Sequence, residues 1–372
     1  MQYKKLGEVA TYINGYAFKP DDRGEVGLPI IRIQDLTGNS YDLGFYNGEY
    51  PKKIEINDGD ILISWSASLG VYVWNKGKAL LNQHIFKVAF DKIEIDKKFF
   101  VYAVREKLEE MISKTHGATM KHIVKRDFEN TLIPFPPINE QILIASKLEK
   151  LSRIIELRNK EIDNLDKLIK ARFVELFGDP VSNSYGLPEA TLPELGEFGR
   201  GVSKHRPRND PKLLGGDYPL IQTGDVANAG LYITSYNSTY SELGLKQSKM
   251  WDKGTLCITI AANIAKTAIL EFDACFPDSV VGFTANEKTS NIFIHCWFSF
   301  FQAILESQAP ESAQKNINIK ILSELKVIVP EKDKQDEFVD FINQVDKSKV
   351  AVQKSLVETQ LLFDSLMQEY FG

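Results

Sequence analysis

Apolar residues recur along two long stretches at the alternating three- and four-residue spacing of a helix face. The first series is Ile144, Leu148, Leu151, Ile155, Arg158, Ile162, Leu165, Ile169, Arg172 and Leu176. The second is Phe338, Ile342, Val345, Lys349, Val352, Leu356, Thr359, Phe363, Leu366 and Tyr370, each 194 positions after its counterpart. Both are heptad seams with a few polar breaks, and they share one phase. They predict helices over about 139–177 and 333–371, each ~57 Å long at 1.5 Å per residue. Even their ends agree, Phe177-Gly178 with Phe371-Gly372.

The chain before each helix has a different texture. Short β-type runs such as Ile61-Leu62-Ile63 and Ile85-Phe86-Lys87-Val88-Ala89-Phe90 predict strands. Val101, Val104, Leu108 and Met111 predict a helix over about 100–113. Pro134-Phe135-Pro136-Pro137 ends that module and opens the first long helix, since proline suits a first turn. Gly178-Asp179-Pro180 ends the helix and begins a linker.

The globular stretches repeat as well, with an offset that drifts by a few residues. Leu6-Gly7 matches Leu195-Gly196, and Pro29-Ile30-Ile31-Arg32 matches Pro219-Leu220-Ile221-Gln222. Gly59-Asp60-Ile61-Leu62-Ile63-Ser64 matches Gly254-Thr255-Leu256-Cys257-Ile258-Thr259; Lys121 and Ile123 match Lys315 and Ile317; Pro136 and Gln141 match Pro330 and Gln335. Loops vary, then, while helix length is held. The expected organisation is a module over 1–137, a spacer helix over 138–178, a linker over 179–189, a second module over 190–330 and a second helix over 331–372. The fold class is α+β. Two similar mixed α/β modules are separated by two long helices that form an antiparallel coiled coil with pseudo-two-fold symmetry.

Composition narrows the function. At 43% apolar and 26% charged, the chain is neither disordered nor collagen-like. No window approaches 18 uninterrupted apolar residues, so no membrane partner is expected. Met1 to Glu8 carries no apolar signal core, and three cysteines without CxxC spacing suit a reducing compartment, so the expected location is cytoplasmic. The net charge of −5 places any claim of DNA binding on local charge.

Two similar modules at a fixed spacing suit duplex DNA, whose half-sites one turn apart lie ~34–36 Å centre to centre. With its two modules, the Pro136 to Gln141 and Pro330 to Gln335 helix starts, and the segments Lys204 to Pro211 and Gly215 to Val226, the chain resembles the specificity (S) subunit of type I restriction-modification systems over essentially its whole length. The second helix start lacks the double proline of the first. The resemblance implies a non-catalytic subunit in which each module is a target-recognition domain reading one half of a gapped, bipartite double-stranded DNA target. The helices would set the gap and dock two methyltransferase subunits, with restriction subunits in the full complex. S-adenosylmethionine, ATP and magnesium would belong to those partners, and no cofactor or metal to this chain.

Local charge and side-chain chemistry single out four clusters of candidate DNA contacts. Arg200, Lys204, Arg206, Arg208 and Lys212 face one acid, Asp210, in a proline-punctuated loop that includes His205; Lys19 and Arg23 occupy a similar place in the first module. Arginine pairs phosphates and bridges guanine O6 and N7. Trp65, Ser66 and Ser68 follow one strand, and Asn263 and Lys266 follow its counterpart. Asn82, Gln83 and His84 match Asp278 and Ser279. Lys114, His116, Thr119, Lys121 and His122 match Gln314, Lys315 and Asn316.

Competing chemistry lacks its residues. Asp278 with Glu287-Lys288 echoes a metal-dependent nuclease core, yet that core needs Glu and Lys two apart on one strand face, and here they are adjacent. There is no GxxxxGK[ST] phosphate loop, no Asn-Pro-Pro-aromatic methyltransferase motif and no HExxH among the five histidines. A protein-binding scaffold on a coiled-coil spacer is the other reading. Steep salt dependence of duplex binding separates it from DNA recognition.

Overall fold

The computed structural model describes residues 2–39, 42–114, 123–208, 210–308 and 317–372. Residues 1–158 with 355–372 form one compact unit and residues 159–354 the other. Each unit contains one globular module and portions of both long helices.

In the first module, Thr11–Asn14, Ile85–Ala89, Ile61–Ser64 and Gly70–Val73 form an antiparallel sheet in that spatial order. A second sheet pairs Leu28–Ile31 in parallel with Ala79–Leu81, with Phe45–Tyr46 and Glu55–Ile56 at its edges. The other module repeats this plan. Gly196–Arg200, Val280–Ala285, Leu256–Thr259 and Thr267–Leu270 form its first sheet, extended by Tyr232–Ile233. Leu214–Leu220 pairs in parallel with Ala274–Cys275 in the second.

The central strand of each first sheet explains the unbroken apolar runs. Successive side chains on a strand point to opposite faces. Ile61 and Ile63 enter one core while Leu62 enters another. Leu256 and Ile258 likewise enter one core and Cys257 another. A strand covered on both faces has no polar side to alternate with.

The long helices are Ile138–Phe177 and Lys332–Phe371, 40 residues each. Every position of both seams is buried or half-buried. Within the first unit Arg158 donates to the Ser355 carbonyl and to Thr359 Oγ1, and Lys147 approaches the Tyr370 hydroxyl at 3.4 Å. Within the second, Lys349 pairs with Asp166 and Arg172 with Glu337, each at 2.6 Å. Rising numbers on one helix meet falling numbers on the other, so the pairing in each unit is antiparallel. The polar breaks at Arg158, Arg172, Lys349 and Thr359 make all of these cross-helix bonds except that of Lys147 with Tyr370.

Each helix start is fixed by a buried glutamine. Gln141 donates to the Pro136 carbonyl at 2.8 Å and accepts from the Asp96 N–H. Gln335 donates to the Pro330 carbonyl at 2.9 Å and accepts from the Thr289 hydroxyl. The contact is the same although the second start lacks the double proline. The far ends behave differently from a helix packed only on the module before it. Phe173 and Phe177 lie in the core with Phe293, and Met367 and Phe371 lie in the core with Phe99.

Candidate nucleic-acid interface

In each module the central strand ends at a buried hydroxyl. Ser64 Oγ donates to the Ser68 carbonyl, and Thr259 Oγ1 donates to the Asn263 carbonyl. The turns so closed hold Ala67 at φ 57° and Ala262 at φ 62°. A left-handed alanine is strained and persists only where surrounding bonds over-determine it.

Those bonds stitch each turn to two other segments. The Trp65 carbonyl accepts from the Ile123 N–H at 3.0 Å, and the Ile260 carbonyl accepts from the Ile317 N–H at 2.9 Å. The Ile260 N–H donates to the Ser279 carbonyl at 3.0 Å, and the Trp65 N–H makes a longer 3.5 Å contact with the His84 carbonyl. The Trp65 ring is half-buried, 5.7 Å from Phe86 and 5.5 Å from His84. So Trp65, Ser66 and Ser68 are brought beside Asn82, Gln83 and His84, and the turn carrying Asn263 meets Ser279 through Ile260, while Lys266 lines another cleft with Asp166, His295 and Lys349. Ile123 and Ile317 adjoin the fourth cluster, but Thr119, Lys121, Lys315 and Asn316, with His116, His122 and Gln314, lie outside the described residues, as does the side chain of Lys114.

A glycine at the end of the edge strand lets a further loop approach. A Cβ on Gly15 would lie 2.1 Å from the Asn82 carbonyl oxygen, and one on Gly201 would lie 2.3 Å from that of Pro277. Beyond them the modules diverge. In the first, a short turn follows at Pro20–Asp22; Lys19 is exposed, and Arg23 is paired with Asp42 at 3.0 Å. In the second, the chain runs on through Lys204, His205, Arg206 and Arg208 before the corresponding turn at Pro211–Leu213.

This longer loop is pinned at several points. Gln247 Oε1 accepts from the N–H groups of Lys204 and His205 at 2.7 and 3.0 Å. Asp210 accepts from the Lys212 N–H and meets the His205 ring at 3.1 Å, and these two contacts hold its carboxyl below the usual range. Arg206 donates to the carbonyls of Ser203 and His205, and its other terminal nitrogen lies 3.3 Å from Asp278. Arg208 donates to the second Asp278 oxygen, and Arg200 donates to the Asp278 carbonyl.

Arg200, Arg208, Asp278 and Ser279 line an open cleft of about 390 Å³ with Gln222, Thr223, Ala261 and Tyr240. Gln222 was not among the sequence candidates. Its signal was the repeat that sets it opposite Arg32. Both residues cap a short helix at φ −109°, ψ 170°, and both N–H groups are held by the aspartate three residues on. Their side chains differ: Arg32 folds back on Asp35, while Gln222 is exposed at the cleft. The nuclease-like trio is spread out, with Asp278 before the strand Val280–Ala285 and Glu287-Lys288 after it.

The family model for the type I restriction modification DNA specificity domain matches residues 1–167 and again residues 189–359. The chain belongs to this type I specificity family. Among curated relatives, the EcoBI specificity subunit of Escherichia coli is 25% identical, across 98% of this chain and 84% of the relative. The putative MjaX specificity subunit of Methanocaldococcus jannaschii is 22% identical, across 93% of this chain and 86% of the relative. The solved S subunit from M. genitalium shares the fold, with a TM-score of 0.61 at 18% identity over 100% of this chain and 96% of that one. The specificity subunit recognises DNA targets through two domains, assembles with methyltransferase and restriction subunits and is not itself a catalyst. Among the described residues no helix is long and apolar enough to cross a membrane.

Proposed function

We propose that the modules at 1–137 and 190–330 each read one half of a gapped, two-part duplex sequence, through the edge where the strand-end turn and its two partner segments meet. The observation that carries this reading is the repetition of that three-segment junction at equivalent positions, Trp65 with Ile123 and Ile260 with Ile317. A duplicated reading edge suits a duplicated target. Lys19, Arg23, Trp65, Ser66, Ser68, Asn82, Gln83, His84, Lys114, Thr119 and Lys121 are the contacts assigned to the first half. Arg200, Lys204, His205, Arg206, Arg208, Asn263, Lys266 and Ser279 are assigned to the second, with Lys315 and Asn316, and Asp278 belongs to the same edge.

The paired helices set the gap and dock two methyltransferase subunits. S-adenosylmethionine, ATP and magnesium are held by the partners, and the complex works in the cytoplasm. Because the chain carries a net charge of −5, it binds DNA weakly alone, and its partners complete the clamp. Single-molecule methylome sequencing of a host with and without this gene, alongside its methyltransferase gene, is the test. A gapped two-part adenine-methylated motif that depends on this chain is the expected outcome. An unchanged methylome, with the complex expressed and assembled, would overturn the reading.

A further inference from the structure

An acidic side chain on a DNA-facing edge needs a reason, because a carboxylate beside phosphate repels it. Asp278 sits among the second module's arginines. Its two oxygens take Arg206 and Arg208, and its backbone carbonyl takes Arg200. The side chains of Arg206, Arg208 and Asp278 are 54%, 46% and 27% exposed, a setting in which ion pairs add little to folding stability. What such pairs do provide is orientation. A guanidinium held on one edge presents its remaining N–H groups in a fixed fork, which suits a planar acceptor pair such as guanine O6 and N7. The loop behind it is already anchored through Gln247 and Asp210. Three arginines against one aspartate still leave the edge positive.

We propose that Asp278 is the positioning residue of base reading in the second module: it fixes Arg208 to recognise a guanine edge, and Gln222, in the same cleft, recognises adenine. Glutamine is bidentate to adenine N6 and N7 as arginine is to guanine O6 and N7. This rests on the two-module reading above and adds the division of labour within one module. Asp278 touches the arginines and not the DNA.

The test uses the full chain assembled with its methyltransferase subunits, and measures binding of the cognate duplex against duplexes substituted at each base pair of both halves. Arg208→Lys keeps the charge and loses the fork. Discrimination at one base pair of the second half is expected to fall roughly tenfold, with the slope of log affinity against log salt unchanged. Asp278→Asn is expected to relax the same half while Asp278→Glu retains most of the discrimination, and Gln222→Ala should relax a different base pair there. The first half should be untouched throughout.

If Arg208→Lys preserves discrimination, or if Asp278→Asn weakens all duplexes by one factor, the arginines hold phosphates and the proposal is overturned. Should Asp278→Asn fail to fold, Arg208→Lys and Gln222→Ala still decide it. A wild-type complex without any second-half discrimination would instead remove the two-module reading itself.

Discussion

The ring of Phe371, on the last turn of the second long helix, lies 5.1 Å from that of Phe99, on the helix Lys97–Lys114 of the first module. Phe177, at the matching point of the first long helix, lies 5.3 Å from Phe293 on the helix Asn291–Gln308. Both terminal phenylalanines are fully buried. Truncating such a residue to alanine costs about 3–5 kcal/mol. Phe371→Ala is therefore expected to speed hydrogen exchange in the helix Lys97–Lys114 while sparing Asn291–Gln308, and Phe177→Ala to do the reverse. Equal effects on both helices would contradict the assignment of each helix end to its core.

Inserting one heptad into each long helix keeps the seam in phase, because seven residues are the repeat of the apolar pattern. The methylated motif is then expected to gain unspecified base pairs in its gap while both half-sites stay the same. Methylome sequencing reads both properties at once. An unchanged gap would show that the helices do not set it. Inserting three residues instead would take Arg158 away from Thr359 and Ser355, and assembly should fail.

Gly15→Ala and Gly201→Ala place a methyl group 2.1 and 2.3 Å from backbone oxygens that cannot move aside as a side-chain tip could. Each is expected to disturb one reading edge. Gly201→Ala should reduce discrimination in the second half-site alone and Gly15→Ala in the first alone, as measured by competition between singly substituted duplexes. A change in both halves from one substitution would break the assignment of one module to one half.

His295 accounts for one pH dependence. Burial first, then the charge of Lys349, lowers its pKa to about 4 from an ordinary 6.5, against opposing effects of Thr267 and Asp166. The folded chain resists the proton that the unfolded chain accepts. Stability is thus unaffected above the ordinary value and falls as pH drops from 6.5 towards about 4. His295→Gln should flatten denaturant-midpoint curves across that interval. A curve as steep as that of the parent would exclude His295 as the cause.

The heptad seams were legible because each long helix keeps one face covered along its whole length, so the burial pattern is written directly into residue spacing. The partner of each helix end was not. An apolar face at Phe173 and Phe177 states that something covers it, and a continuous apolar series is compatible with any apolar core. The arginine loop was legible from local charge, while its pairing with Asp278 joins residues about 70 positions apart that no spacing rule connects. The first-module loop was expected to offer Arg23. The structure pairs it with Asp42, across an intervening strand and helix, a partner that no spacing rule connects to it. Gln222 was hidden by its own chemistry, since a single exposed glutamine carries neither charge nor apolar signal.

The first unit combines residues 1–158 with residues 355–372. During synthesis, the ribosome must add nearly 200 residues between these two pieces, a delay of roughly 10–40 s at ordinary elongation rates. Throughout that interval the pocket awaiting Met367 and Phe371 is open to water, while the other unit can close as soon as residue 354 has emerged. The module translated first is therefore the one that waits longest for its last core residues.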